Sequence, residues 1–124
     1  MLAVNQDQSL AAWVNPVGDI EIWNLAEAKM QRVLKGHHET VIALSWNTQE
    51  EILSADTSGR IILWDLNTDS IAAEALSAIS IRSMSSSLDG RHLAIVSTDG
   101  KLYRATVEGA VSYTHLTLPT ICSV

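Results

Sequence analysis

The chain has 124 residues, 47% of them hydrophobic, 18% charged and only two of them proline, a composition that builds a core and excludes a disordered chain. Eight Lys and Arg against 14 Asp and Glu leave a formal charge of -6, and the basic residues stand singly from Lys29 to Arg104, which argues against nucleic acid as a partner. The one cysteine, Cys122, excludes an internal disulfide and a cysteine-built zinc site.

No stretch approaches the ~18 uninterrupted apolar residues of a membrane span, and the N-terminus lacks the basic-then-apolar pattern of a secretory leader. An intracellular, cytoplasmic setting without membrane contact is therefore expected.

Short apolar runs bounded by Asn, Asp, Gly and Thr read as strands joined by turns. "LAVN" opens the series, a turn follows at Gln6 to Gln8, and "SLAAWV", "DIEIWNL" and "KMQRVL" complete a first group over residues 2–34. A second group, residues 36–76, holds "VIALSW", "EILSA", "RIILWDL" and "SIAAEAL". The third, residues 81–109, begins with "IRSMSSS", turns at Leu88-Asp89-Gly90 and continues to "KLYRATV".

These groups repeat. "GDIEIWNL" (Gly18 to Leu25) aligns with "GRIILWDL" (Gly59 to Leu66), 41 residues separate Trp23 from Trp64, and a further step of 41 carries Gly59 onto Gly100. About four strands per 41 residues predict an all-β fold: a β-propeller fragment of about three four-stranded antiparallel blades, each a twisted sheet covered only by its neighbours. Three blades cannot close a ring that needs four to eight. The missing blades of a parent chain are thus expected partners, and the open ends are expected to aggregate in isolation.

"LKGHHETVIALSW" and "GRIILWDLNT" resemble the Gly-His and Trp-Asp signatures of the WD-repeat β-propeller family, a likeness that covers residues 1 to about 109. The resemblance implies a hydrogen-bond network in each blade. It links the His of the Gly-His pair, an Asp in the turn before the third strand, a Ser or Thr, and the Trp indole, in a dry interior where an unpaired donor costs about 1–3 kcal/mol. Carried over by position, the network is incomplete. The second blade has His37, Trp64 and Asp65 but Ser58 in the turn; the first has Trp23 but Val17; the third has Asp99 but Ala105 in place of Trp. Packing, with the network partial at best, is expected to hold the blades.

The other polar features yield no catalytic residue, metal site or cofactor. His37-His38 has no further ligand at metal spacing and reads as the Gly-His element. Adjacent Glu50 and Glu51 point to opposite faces, the serines of "SMSSSLDG" have no recognisable base or oxyanion hole, and the lone glycines of "VEGA" and "LKGHH" make no phosphate loop. Among the four tryptophans, Trp23 and Trp64 take the core position of the repeat, Trp46 ends an innermost strand, and Trp13 is a candidate contact residue.

The resemblance implies a non-enzymatic scaffold that binds partner proteins in a multiprotein complex. Trp13, His38 and Arg60 are the candidate contacts, with the loops Asn15 to Asp19, Thr57 to Arg60 and "LKGHHET". The alternative is a non-catalytic propeller region of a larger enzyme or kinase-complex subunit. "EEILSADTSGRIILWDL" followed by "SLDGRHLAIVSTDGKLY" has some likeness to the propeller subunit of target-of-rapamycin kinase complexes.

The terminal "VSYTHLTLPTICSV" breaks the repeat and carries no charge. Codons GTC TCT TAT ACA CAT CTG ACG CTG CCG ACG encode Val111 to Thr120, and that string resembles the end of a transposase-based sequencing adapter. Residues 111–124 are accordingly expected to be non-native, with no chemistry at Tyr113, His115 or Cys122, and the propeller fragment to span residues 1–110.

Overall fold

The computed structural model describes residues 2–76, 80–87, 91–108 and 110–112. Among the described residues twelve strands form three antiparallel sheets of four. The first joins β1 (Leu2–Val4), β2 (Leu10–Val14), β3 (Ile20–Asn24) and β4 (Lys29–Leu34) in that order. The second joins β5 (Val41–Trp46), β6 (Glu51–Asp56), β7 (Arg60–Asp65) and β8 (Ser70–Leu76). The third joins β9 (Ile81–Ser86), β10 (His92–Ser97), β11 (Leu102–Glu108) and β12 (Ala110–Ser112). The three blades expected from the repeat are present, and among the described residues they form no closed ring.

The 41-residue period is written in the backbone. Gly18, Gly59 and Gly100 have φ of 93°, 87° and 87°, a region that side-chain-bearing residues avoid. Each donates its N–H to the carbonyl three residues back, on Asn15, Asp56 and Ser97, at 2.9, 3.1 and 3.1 Å. The same turn therefore joins second and third strands in every blade. Val111 and Ser112 extend the third sheet by pairing with Val107 and Thr106. The remaining tail, with Tyr113, His115 and Cys122, and the expected turn at Leu88-Asp89-Gly90 lie outside the described residues.

The middle sheet is buried on both faces, because side chains alternate along its strands. Ile52, Ile62, Trp64 and Leu66 pack with Ala12, Ile20, Ile22 and Leu34 of the first blade. Leu53, Ala55, Ile61 and Leu63 pack with Ile81, Met84, Leu93, Ile95 and Ala105 of the third.

Polar bonds pin both junctions. Trp46 Nε1 donates to the Ala3 carbonyl at 3.0 Å, and Asn5 Nδ2 to the Gln49 carbonyl at 3.2 Å. Arg32 reaches from β4 to the Leu66 carbonyl at 2.6 Å and to Asp69 at 3.0 Å. At the second junction the Ser86 hydroxyl donates to the Trp46 carbonyl at 2.7 Å and lies 2.8 Å from Ser45 Oγ. Ser86, within the serine-rich stretch, thus ties two blades together.

Candidate functional site

A buried polar cluster grows from β6. Residues 52, 54 and 56 of a strand share a face, which in β6 is the face of Trp64. Ser54 and Asp56 are 0% and 1% exposed there, and the His37 side chain, 2% exposed, comes down onto both. His37 Nδ1 lies 2.7 Å from Asp56 Oδ2 and Nε2 lies 2.5 Å from Ser54 Oγ, while Trp64 Nε1 donates to Ser54 Oγ at 2.8 Å.

One proton arrangement satisfies all four groups. Nδ1–H donates to the carboxylate, the Ser54 hydroxyl donates to a neutral Nε2, and the indole N–H donates to Ser54. The other Asp56 oxygen accepts from Ser58 N at 2.9 Å, Ser58 Oγ at 2.5 Å and Arg60 N at 3.2 Å. Gly36 makes the approach possible, since a Cβ there would stand 2.8 Å from Trp64 Cη2.

This corrects the expectation that Ser58 leaves the second blade without its carboxylate. Asp56, two residues upstream at the end of β6, supplies it, and Ser58 becomes one of its donors. The network in this blade is complete.

Chemically the trio reads Asp–His–Ser, the order of a hydrolytic triad, but its burial denies it that use. Ser54 is sealed from solvent and its oxygen is held by an indole N–H, so no substrate carbonyl can reach it. The charges fit a structural role. Burial holds the His37 imidazole below its ordinary value of 6.5, against the pull of Asp56, which raises it. Burial raises Asp56, but hydrogen bonds from Ser58, His37 and Arg60 outweigh it and leave the carboxyl below its ordinary value of 3.8.

In both cases the unfolded chain binds protons more readily than the folded one. The stabilisation is complete above the unfolded His value of 6.5, declines as pH falls below it, and declines further below 3.8 as Asp56 protonates. The urea midpoint is therefore expected to fall between about pH 7.5 and pH 5.5, and the His37-dependent part of that slope to vanish in His37→Gln. An identical slope in the variant would contradict this assignment.

The other candidates take different places. In the first blade both Trp13 Nε1 and Trp23 Nε1 donate to Glu21 Oε1, at 2.8 and 2.9 Å, and Asn15 Nδ2 donates to Glu21 Oε2 at 2.9 Å. These bonds, Asn15 foremost, hold the Glu21 carboxyl below its ordinary value. In the third blade Asp99 accepts from the Ser97 hydroxyl and from Lys101 N, and so braces its own turn. Asp65 accepts from Asn67 N at 2.9 Å and closes the turn after β7.

Arg60 donates to the Gly36 carbonyl at 2.5 Å and pairs with Glu74, so it fixes the segment before His37. His38 sits beside that segment, exposed. The connections 15–19 and 35–40 share one end of the blades, where Lys35 lies 3.8 Å from Asp19 and Val17 is 81% exposed. Val17, read in the sequence as the residue in place of the first blade's turn Asp and within the candidate loop Asn15 to Asp19, is the exposed apolar side chain of that turn.

Comparison with known proteins agrees with this geometry. Residues 28–65 match the family profile described as "WD domain, G-beta repeat". SIR4-interacting protein SIF2 of Saccharomyces cerevisiae is 23% identical over 103 residues, covering 82% of this chain and 19% of that protein. Human WD repeat-containing protein 35 is 33% identical over 84 residues, covering 64% of this chain and 7% of that protein. Among solved structures, the β-propeller domain of Myceliophteria thermophila Cps50 (Swd1) superposes with a TM-score of 0.74 at 21% identity, over 85% of this chain and 34% of that one. The chain thus spans a small part of the proteins it resembles.

Proposed function

We propose that this chain, which belongs to the WD-repeat β-propeller family and forms an open arc of three blades, is a protein-binding scaffold that works inside a multiprotein complex. The observation that carries the reading is a division of labour among its polar residues. The Asp–His–Ser cluster is sealed between blades, while the connections that end the blades present side chains to solvent. Rigid sheets with displayed loops are suited to recognition. The names of two similar proteins point the same way, one being a SIR4-interacting protein and another a Set1 complex component.

The binding surface on this reading is the end that carries Val17 and His38, with Arg60 holding its backbone in place. The acidic balance of the chain favours a basic partner surface. A cytoplasmic setting, independence of cofactors, and a native unit that ends near residue 110 belong to the same proposal. The alternative, a propeller region within a larger enzyme or kinase complex, draws on no residue of its own here.

The test is co-purification with the intact protein that contains this arc. Val17→Asp combined with His38→Ala is expected to reduce partner recovery severalfold with unchanged melting, because both side chains lie outside the packed cores. Undiminished recovery would move the binding surface elsewhere.

A further inference from the structure

The turn after the innermost strand is closed in the same way in the first and third blades. Asn5 N–H donates to the Leu10 carbonyl at 3.0 Å, while Asn5 Oδ1 accepts from Leu10 N–H at 3.0 Å. Ser87 N–H donates to the His92 carbonyl at 2.8 Å, and Ser87 Oγ accepts from His92 N–H at 3.1 Å. In the second blade Asn47 holds that position, but its N–H donates at 2.8 Å to the carbonyl of Glu51, four residues on rather than five. The shorter turn takes away the N–H that Asn47 Oδ1 would have accepted. Asn47 Nδ2 lies 3.5 Å from Glu51 Oε1, whereas Oδ1 is buried without a donor among the described residues, in a residue 5% exposed.

A buried acceptor left without a donor is costly, and its surroundings show what would satisfy it. Asn47 lines a pocket of about 50 Å³ together with Gln6 of the first blade, Thr48 of the second, and Ser86 and Ser87 of the third. Thr48 also borders a shallow groove that carries Glu50, Glu51 and Asp65. None of these carboxylates forms an ion pair among the described residues. Arg32, whose partners Leu66 and Asp69 flank the groove residue Asn67, is engaged with them. An unpaired acceptor and hydroxyl oxygens thus stand at the head of an acidic channel.

We propose that this pocket takes the ammonium group of a lysine in a basic segment of a partner protein, with the rest of that segment lying along Glu50, Glu51 and Asp65. An ammonium is compact and carries three donors, which suits a small pocket lined by Oδ1 and hydroxyls; a planar guanidinium needs a wider slot. The proposal rests on the reading of the chain as a protein-binding scaffold and adds a second surface to it. Strand β6 separates the turn 47–50 from the connection 57–59, which bonds to Thr40, so the lysine site lies at the opposite end of the blade from His38.

Fluorescence anisotropy on the intact protein tests it, with labelled oligolysine, the same peptide fully acetylated, and oligoarginine as probes. Oligolysine is expected to bind severalfold tighter than oligoarginine, and the acetylated peptide to show no binding. Asn47→Ala is expected to erase the preference for lysine with unchanged melting. A glycine inserted between Gln49 and Glu50, which restores the longer turn and gives Oδ1 its N–H, is expected to do the same. Equal affinity for the two cationic peptides, or a lysine preference that survives both variants, would overturn the ammonium seat. Absence of oligolysine binding, with partner recovery still reduced by Val17→Asp combined with His38→Ala, would sink this site and leave the loop assignment standing. Lysine binding that needs Asn47, with normal partner recovery in that double variant, would support this end of the blade and overturn the loops.

Discussion

Asp56→Ala is expected to cost the intact protein about 3 kcal/mol, because it removes a buried carboxylate on which four donors converge. His37 Nδ1–H, Ser58 N–H and the Arg60 N–H would lose their acceptor in a region with little water to replace it. Asn is a poor substitute: it keeps the volume, but its amide group turns donors toward one set of donors. Asp56→Asn should therefore recover less than half of the loss. A chemical-denaturation midpoint within error of the parent in Asp56→Ala would mean that packing alone holds the blade.

Trp64→Ala is expected to cost about 4 kcal/mol, the range for truncating a large buried aromatic. The indole fills the junction of the first two blades at 5% exposure, and its far edge rests against Gly36. Trp64→Phe separates the terms. It keeps most of the apolar volume and loses the bond to Ser54, so about 1 kcal/mol is expected. Gly36→Ala should cost about 1–3 kcal/mol beside Trp64, and less in the Trp64→Phe background, where the offending ring edge is gone. Additive losses in that double variant would show that Gly36 is required for its backbone and not for the close approach.

The fold was legible because its two strongest constraints are local. A glycine at positive φ recurs every 41 residues, and short apolar runs bounded by turn residues mark the strands, so strand number and turn positions follow from residues such as Gly18, Gly59 and Gly100. The polar network was legible only in part. Matching by position looked for a carboxylate at Ser58 and missed Asp56, although Ser54 and Asp56 lie two apart and share the face of Trp64. What fixed the substitution is spatial: an aspartate at the end of a strand can cap the turn with one oxygen and hold His37 with the other.

In the first blade the sequence carried less still. Glu21 meets Trp13, Trp23 and Asn15 through cross-strand register, which no linear motif encodes. Arg60 shows the opposite error. It reads as an exposed turn residue, yet its guanidinium spans to Gly36 and Glu74 and leaves it a strut.

His37 and His38 are adjacent in the chain and are given opposite work, one sealing a blade junction and one facing outward from a loop. The most direct measurement is partner recovery per folded molecule for His37→Ala and His38→Ala in the intact protein. The expected result is a lowered melting temperature with undiminished recovery per folded molecule for His37→Ala, and unchanged melting with reduced recovery for His38→Ala. If His37→Ala abolished recovery while leaving stability intact, the buried cluster would be the functional site and the division between sealed network and displayed loops would be wrong.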